Sequence, residues 1–423
     1  MRAPAEDGSM DAEENDPLAW TRDYTPILRS LAAEYGDSRP LDGDTIAVAS
    51  HLEAKTGVLI ETLREAGAHV LVTGSEPYST KADVVRALDE QDGIELFVEH
   101  GMSEEAWEAG QHDLLEAEPD FLLDDGCELI AKAHAEYPEV CERIVGGGEQ
   151  TTAGITRLEA MESEGVLEFP VYGVNDTPMK HFFDNVHGTG ESALMNVGIT
   201  TNTMLSGKTV VVAGYGYCGR GIARKARGMG AQTVVTEVDP RKALEAHTEG
   251  HRIMEMGEAA EIADYVIPST GSREVVRREH IEAMADGVIL ANAGHFDVEI
   301  DLDGLSDAAE RVTQPREGVT RYHLPDGRRI NLLARGRLVN LTGPYSNGHP
   351  AEVMDTTFAM MFVAAHDLLT GDRDRAPGVY AMPDRLDRAV AERKLGTLDL
   401  SIDTPTDSQR EYAGDWEHAD SSF

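Results

Sequence analysis

Five groups able to move a proton stand out in this 423-residue chain. Lys180 and Asp184 lie four residues apart in NDTPMKHFFDN (175–185), a spacing that puts both on one face of a helix. Such a pair is either a plain ion pair or an amine placed to take the proton of a hydroxyl that loses hydride. Asp125, in FLLDDG, closes an apolar run and reads as a turn acid or as a general base. His51 and His295 each end a strand-like run, in VASH and NAGH, and from that placement are either structural or proton-transferring. GGGEQTTAG (146–154) reads as a flexible loop before a helix capped by Thr151 or Thr152.

A further stretch points to a bound cofactor. In VVVAGYGYCGRG (210–221) an apolar run stops at Gly214, Gly216 and Gly219, and a helix-like segment follows. Glycines there permit a tight turn and a close approach of backbone to a pyrophosphate at the helix N-terminus. Glu237 ends the next apolar run, 23 residues after Gly214. Its carboxylate can accept both hydroxyls of an adenosine ribose and would repel a 2′-phosphate, so the pattern predicts NAD rather than NADP.

These residues need a scaffold, and the chain repeats one theme that supplies it. TIAVASH, AHVLVTG, IELFVEHG, PDFLLDDG and LEFPVYGVND read as strands separated by helices. TVVVAG, QTVVTEVD, DYVIPSTG and GVILANAGH repeat the theme after a helix-like linker at 191–205. The fold class expected is α/β, with two doubly wound parallel-sheet domains: a substrate domain and an inserted Rossmann NAD-binding domain. YHLPDGRRINLL predicts a hairpin turning on Pro325-Asp326-Gly327, and the segment after Pro350 a long helix that returns to the first domain. The boundaries expected are a disordered acidic leader over 1–16, a substrate domain over 17–186, a cofactor domain over 187–348, return helices over 349–395 and a tail over 396–423.

Composition narrows the partners. The chain carries 37 basic and 77 acidic residues, a net charge of −40 spread along its length. Such a surface repels nucleic acid and anionic membranes and suits a high-salt cytoplasm, where ions screen the self-repulsion. Three cysteines without a CxxC pair indicate neither a disulfide framework nor a zinc motif, so no metal is expected. The polar N-terminus reads as no signal peptide, and no apolar run is long enough to span a membrane, so the expected location is cytoplasmic.

Taken in order, HLEAKTGVLIETL, DDG, EQTTAG, NDTPMKHFFDN, AGYGYCGRG, TEVDP, NAGHFDVEID, GRLVNL and GHP resemble the adenosylhomocysteinase family, the S-adenosylhomocysteine hydrolases, over about residues 22 to 413. HLEAKT resembles its archaeal and thermophilic-bacterial branch. The resemblance implies a tightly held NAD that oxidises the substrate's ribose 3′-hydroxyl to a ketone. The ketone acidifies C4′–H, homocysteine leaves C5′ by elimination, water adds, and the hydride returns. The net reaction is reversible hydrolysis of S-adenosylhomocysteine to adenosine and homocysteine, which relieves product inhibition of methyltransferases. By the same resemblance Lys180 with Asp184 and Asn185 handles the 3′-hydroxyl proton, Asp125 the C4′ proton, and His51 and His295 proton transfer near C5′ and the sulfur. Glu53, Lys55, Gln150 and His349 join Lys180 and Asp184 around the substrate. The NAD site implied comprises Thr151, Thr152, Ala153, Asn185, Gly214, Gly216, Tyr217, Cys218, Gly219, Arg220, Gly221, Glu237, Lys242, Asn292, Ala293, Gly294, His295, Asn340 and His349. The family is usually tetrameric, so a homo-oligomer, tetramer or dimer, is expected.

Departures from the family pattern bear on the substrate. Gln150 stands where the family usually has a second glutamate, and Ala153 where it has a third threonine. Glu53 and Lys55 replace the Thr and Glu of the common His-x-Thr-x-Glu, and a lysine donor could face a 6-oxo group, which makes S-inosylhomocysteine the alternative substrate. The loop before His349 is longer by about two residues (by the family's usual spacing), and the tail lacks the family's Lys- and Tyr-bearing end. A paralogue that binds NAD and nucleoside with little activity, and a conventional dehydrogenase using free NAD, are the remaining alternatives.

Overall fold

The computed structural model describes residues 16–371, 373 and 375–414; the leader expected over 1–16 lies, apart from Asp16, outside the described residues, as does the end of the tail. Six strands come first: β1 (Thr45–Ala49), β2 (His69–Thr73), β3 (Ile94–Leu96), β4 (Phe121–Asp124), β5 (Gly146–Glu149) and β6 (Pro170–Gly173). Eight follow: β7 (Thr209–Ala213), β8 (Gln232–Thr236), β9 (Arg252–Ile253), β10 (Tyr265–Pro268), β11 (Ile289–Leu290), β12 (Arg311–Arg316), β13 (Val319–His323) and β14 (Arg329–Leu333). The last, β15 (Gly378–Ala381), pairs with β6.

The first sheet runs β15-β6-β5-β4-β1-β2-β3 and every pairing in it is parallel. Its strands are short apolar runs because helices cover both faces, as buried parallel strands require. β5 corrects the loop expected over 146–154. Gly146, Gly147 and Gly148 form a buried strand, with Thr151 capping the helix Thr152–Glu164. A Cβ at Gly146 would come within 3.0 Å of Pro170 O and 3.1 Å of Leu368 Cδ1. The glycines thus let the helix Ala351–Thr370 lie close on the sheet, a role that glycine content alone does not distinguish from flexibility.

That long helix is the return segment expected after Pro350. Asp355, fully buried on it, accepts the backbone N–H groups of Ile27 and Leu28 at the start of the helix Pro26–Tyr35, a placement that matches the helix dipole. The second sheet runs β12-β13-β14-β11-β10-β7-β8-β9, parallel except for the antiparallel ribbon β12-β13-β14. The hairpin turns as expected, with Gly327 at φ +89°. β12 escapes the sequence reading because it is polar and largely exposed, with no apolar alternation.

Both sheets reverse strand order, between β1 and β4 in the first and between β7 and β10 in the second. Ligands in open α/β sheets bind beyond the carboxyl ends of strands at such points. His51 follows β1, Asp125 follows β4, Gly214 follows β7 and Ser269 follows β10. No helix among the described residues is long and apolar enough to cross a membrane.

Candidate active site

The carboxyl ends of the two sheets face one cleft of about 1840 Å³. Two clusters of proton-handling side chains stand on its walls. The first is built on the segment after β6. A short α-turn, Pro178–His181, passes into a π-helix, Phe182–Gly188, and the wider turn changes which residues share a face. Lys180 Nζ lies 3.3 Å from Asp184 Oδ1, as the i,i+4 spacing predicts, but closer to Asn185 Oδ1, at 2.8 Å. It also donates to Asn175 Oδ1 at 3.1 Å. Burial opposes charge on Asp184, yet Lys180 and His349 beside it hold its carboxyl well below the usual carboxylate range. Thr357 Oγ1 donates to its other oxygen at 2.8 Å, and His349 Nδ1 approaches to 3.2 Å. Asp184 is therefore favoured as the carboxylate, paired with Lys180.

The second cluster joins the two halves. His51 Nε2 and His295 Nδ1 each stand 3.9 Å from an oxygen of Asp125. The three groups offer atoms within 4.8 Å of one another, a spacing that suits proton relay and would also suit a metal ion. Gly126, at φ +114°, makes this meeting possible: a Cβ there would lie 2.7 Å from His295 Nε2. Burial lowers the His295 pKa, so its ring is neutral near pH 7 and free to accept a proton. Beneath Asp125, Asp124 and Glu149 are register partners at the ends of β4 and β5. Asp124 accepts the N–H groups of Asp125 and Ile130; Glu149 accepts those of Gly126, Cys127 and Thr151. Burial raises both, Asp124 to about 7, with the charges of Asp125 and Glu128 adding to it, and Glu149 well above the carboxylate range, with those of Asp124 and Asp125 adding to it. Gln150 adds no further charge to this acidic corner. Its Nε2 donates to Ser50 Oγ at 3.1 Å and its Oε1 is buried with no protein partner.

The cofactor wall lies opposite. Gly214 turns at φ +91°, and the helix Tyr217–Gly228 starts with its N–H groups toward the cleft. A Cβ at Gly216 would meet no protein atom within 4 Å. Glu237 lines the cleft, its oxygens taking the N–H groups of Tyr215, Val238 and Asp239. Asn340 Oδ1 is buried without a partner on the same wall. An open cradle over glycine, an acid at the ribose position and an unpaired amide acceptor fit a dinucleotide. Replacing Glu237 with serine is expected to weaken NAD⁺ by about tenfold and to narrow the preference over NADP⁺, since the carboxylate both accepts hydroxyls and repels a phosphate. Titrating cofactor-stripped protein with each dinucleotide measures both, and an unchanged NAD⁺/NADP⁺ ratio counts against the assignment.

Most of the residues singled out in the sequence line this cleft: His51, Glu53, Asp125, Gln150, Thr151, Thr152, Ala153, Lys180, Asp184, Asn185, Gly214, Gly216, Tyr217, Cys218, Arg220, Glu237, Lys242, Ala293, Gly294, His295, Asn340 and His349. Lys55, Gly219, Gly221 and Asn292 do not. Lys55 is buried behind Glu53, 2.7 Å from its carboxylate, and donates to the carbonyl of Asn347. Gly219 and Gly221 serve close packing, and Asn292 folds the NAGH loop by bonding Gly294 and Phe296. Ser50 and Ser79 were missed, and Asn175, legible as a polar residue just after a strand, was given no role. Asn175 carried a signal, five residues before Lys180 at a strand end; the serines carried none.

Comparison with known proteins accords with this geometry. The sequence matches the family "S-adenosyl-L-homocysteine hydrolase" over residues 16–135 and "S-adenosyl-L-homocysteine hydrolase, NAD binding domain" over residues 185–345. It is 48% identical over 412 residues to the S-inosyl-L-homocysteine hydrolase of Methanopyrus kandleri, covering 97% of this chain and 96% of that protein. It is also 48% identical to the adenosylhomocysteinase of Halobacterium salinarum, with coverages of 95% and 94%. The adenosylhomocysteinase of the bacterium Aquifex aeolicus is 43% identical, covering 99% of each chain. With two α/β domains meeting at one cleft and an NAD-binding glycine turn on one wall, this chain belongs to the S-adenosyl-L-homocysteine hydrolase family.

Proposed function

We propose that the chain hydrolyses the thioether of a purine nucleoside linked through sulfur to homocysteine, reversibly, with S-adenosylhomocysteine as its substrate. One observation carries the reading: the Lys180–Asp184–Asn185 cluster and the His51–Asp125–His295 cluster line the same cleft as the glycine turn. NAD, held over Gly214 and Gly216 with Glu237 at its ribose, would supply reversible hydride acceptance at the ribose 3′ carbon. Lys180 takes the 3′-hydroxyl proton while Asp184 holds the amine in place. Asp125 is positioned for the C4′ proton. His51 and His295 flank it and serve the leaving sulfur and the incoming water. The unpaired Oε1 of Gln150 accepts a ribose hydroxyl without a charge.

The purine follows from Glu53 and Lys55. Glu53 lines the cleft and offers an acceptor, which suits the amino group of adenine. Lys55, the donor that a 6-oxo group would call for, is tied to Glu53 and Asn347 behind it. Hypoxanthine remains the second reading because the relatives of equal identity carry both names. Measuring homocysteine release from S-adenosyl- and S-inosylhomocysteine side by side in molar salt tests both. We expect the adenine form to turn over at least about tenfold faster. Release from neither sinks the hydrolase reading, and a preference for the inosine form reverses the purine.

The reading assigns residues 17–186 and 349–395 to the substrate and 187–348 to the cofactor, supported by the pairing of β15 with β6. It includes a cytoplasmic enzyme, in keeping with Cys127, Cys141 and Cys218 all being free thiols. It also includes a homo-oligomer, supported by exposed Met195, Ile199 and Met204 in and just beyond the helix Thr189–Thr201.

A further inference from the structure

Among the described residues the ring of His51 hydrogen-bonds one side chain, Ser79, and the loop that carries Ser79 is tied to the other half of the molecule. His51 Nδ1 lies 2.7 Å from Ser79 Oγ. The Ser79 hydroxyl has a single proton, which it gives to the carbonyl of Glu76 at 3.1 Å. Taken with that bond, Ser79 accepts from His51 and the ring proton is assigned to Nδ1, the alternative being that Thr80 Oγ1, 3.3 Å from the same carbonyl, serves Glu76 and Ser79 donates to the ring. Nε2 is then the unprotonated nitrogen, buried without a hydrogen-bond partner and facing Asp125. Ser79 is itself 1% exposed, so water does not compete for this bond.

The loop that carries Ser79 is not held by its own domain alone. Glu76 Oε2 receives Arg337 Nη1 at 2.6 Å, and Arg337 belongs to the GRLVNL segment after β14. The guanidinium also lies 5.0 Å above the ring of Tyr78, which sits between Glu76 and Ser79, and Arg335 lies 5.2 Å from the same ring. Arg337 Nε stands 3.9 Å from Asp297, two residues beyond His295. Ala334, Arg335 and Gly336 all have positive φ, at +49°, +57° and +83°. Three left-handed residues in a row, two of them not glycine, are the kind of strain that persists only where surrounding contacts enforce it. They aim both arginines at Tyr78.

We propose that Arg337, Glu76 and Ser79 form a clamp between the two halves that sets the tautomer and orientation of His51 and ties it to the loop of His295. Ser79 is a positioning residue for His51, and Arg337 is the anchor that holds the Ser79 loop. His51 is thus assembled as a base only when the cofactor half is docked, which keeps elimination behind formation of the full cleft. The clamp rests on the proposed hydrolysis only for its kinetic consequence; the tautomer rests on the bond from Ser79 to Glu76.

Two measurements separate those parts. The ring nitrogens of His51 in histidine-labelled holoenzyme, read by ¹⁵N NMR, should show Nδ1 protonated in the parent and the population moving to Nε2 protonated in Ser79→Ala. In single-turnover assays with the thioether substrate, Ser79→Ala and Arg337→Gln should each slow homocysteine release by about tenfold or more while NADH formation stays within about twofold, because only the later proton transfers use His51. Ser79→Thr, which keeps the hydroxyl, should restore release. The double variant Ser79→Ala with Arg337→Gln should be no slower than Ser79→Ala, because both act through one group. Equal slowing of both steps, additive effects, or a parent His51 protonated on Nε2 would overturn the clamp. A parent with the expected tautomer but no homocysteine release would instead refute the proposed reaction and leave the Ser79 assignment standing.

Discussion

Lys180→Met is expected to lower turnover by about a thousandfold or more and to abolish NADH formation on mixing with substrate. Lys180 has no neighbour that can replace it. Its Nζ is shared among Asn175, Asp184 and Asn185, and of these only Asp184 is a base in principle. In the variant Asp184 loses the amine beside it, but its Oδ1 still faces His349 Nδ1 at 3.2 Å and its Oδ2 still accepts from Thr357 at 2.8 Å, so neither oxygen is free to take the hydroxyl proton. Methionine keeps the apolar stem but removes the amine and leaves a buried carboxylate with less compensation. The protein should therefore also lose stability, by about 3 kcal/mol, since breaking one side of a buried pair strands the other charge. His349, 3.2 Å from Asp184, limits that loss. Stopped-flow absorbance of NADH with homocysteine release, and a melt with cofactor bound, read the two effects separately. A variant within tenfold of the parent in NADH formation would show that another group takes the 3′-hydroxyl proton.

The second large effect concerns two glycines of the cofactor turn that look equivalent in sequence. Gly221→Ala is expected to destabilise the fold by about 3 kcal/mol and to impair NAD binding with it. A Cβ at Gly221 would lie 1.9 Å from the carbonyl oxygen of Val186, next to Asn185, where the helix Tyr217–Gly228 crosses the π-helix. Gly190 packs against Gly221 from the neighbouring helix, so no side gives way. Pushing Val186 also displaces Asp184 and Asn185, which couples the cofactor helix to the Lys180 cluster. Gly216→Ala should behave differently. Its Cβ meets nothing in the protein and its φ of −72° suits any residue, so the cofactor-free protein should melt as the parent does. The methyl group would enter the space where the backbone approaches the pyrophosphate, and NAD affinity should fall by about a hundredfold. Melting curves of both stripped variants, with NAD titrations, distinguish packing from cofactor contact. Equal melting temperatures for the two variants would remove the distinction.

Those glycines show how far the chain could be read from its residues. GYGYCG after an apolar run, with Glu237 beyond the next, was sufficient to expect a dinucleotide turn, because that signal is local: strand, turn and helix follow one another in sequence. The alternation of strands and helices was legible for the same reason, as were the long helix after Pro350 and the turn at Gly327. Gly146 to Gly148 were misread because glycine's absence of a side chain serves a flexible loop and a tightly covered strand equally well. Pairing with β4 and β6, and the cover of the helix Ala351–Thr370 from far along the chain, make them a strand.

The sequence by itself determined the fold class, through short-range pattern, and the family, through the resemblance of its ordered motifs, and it singled out the candidate proton-handling groups by their residue chemistry. Tertiary structure decided what those groups touch. It placed Lys55 behind Glu53, brought Asn185 nearer than Asp184 to Lys180 through a π-turn, and set Ser79 and Arg337 around His51. Each of these depends on contacts between residues distant in the chain or on a local change of helical pitch. Neither leaves a periodic trace, because it is packing between elements, and not the preference of any one of them, that selects it.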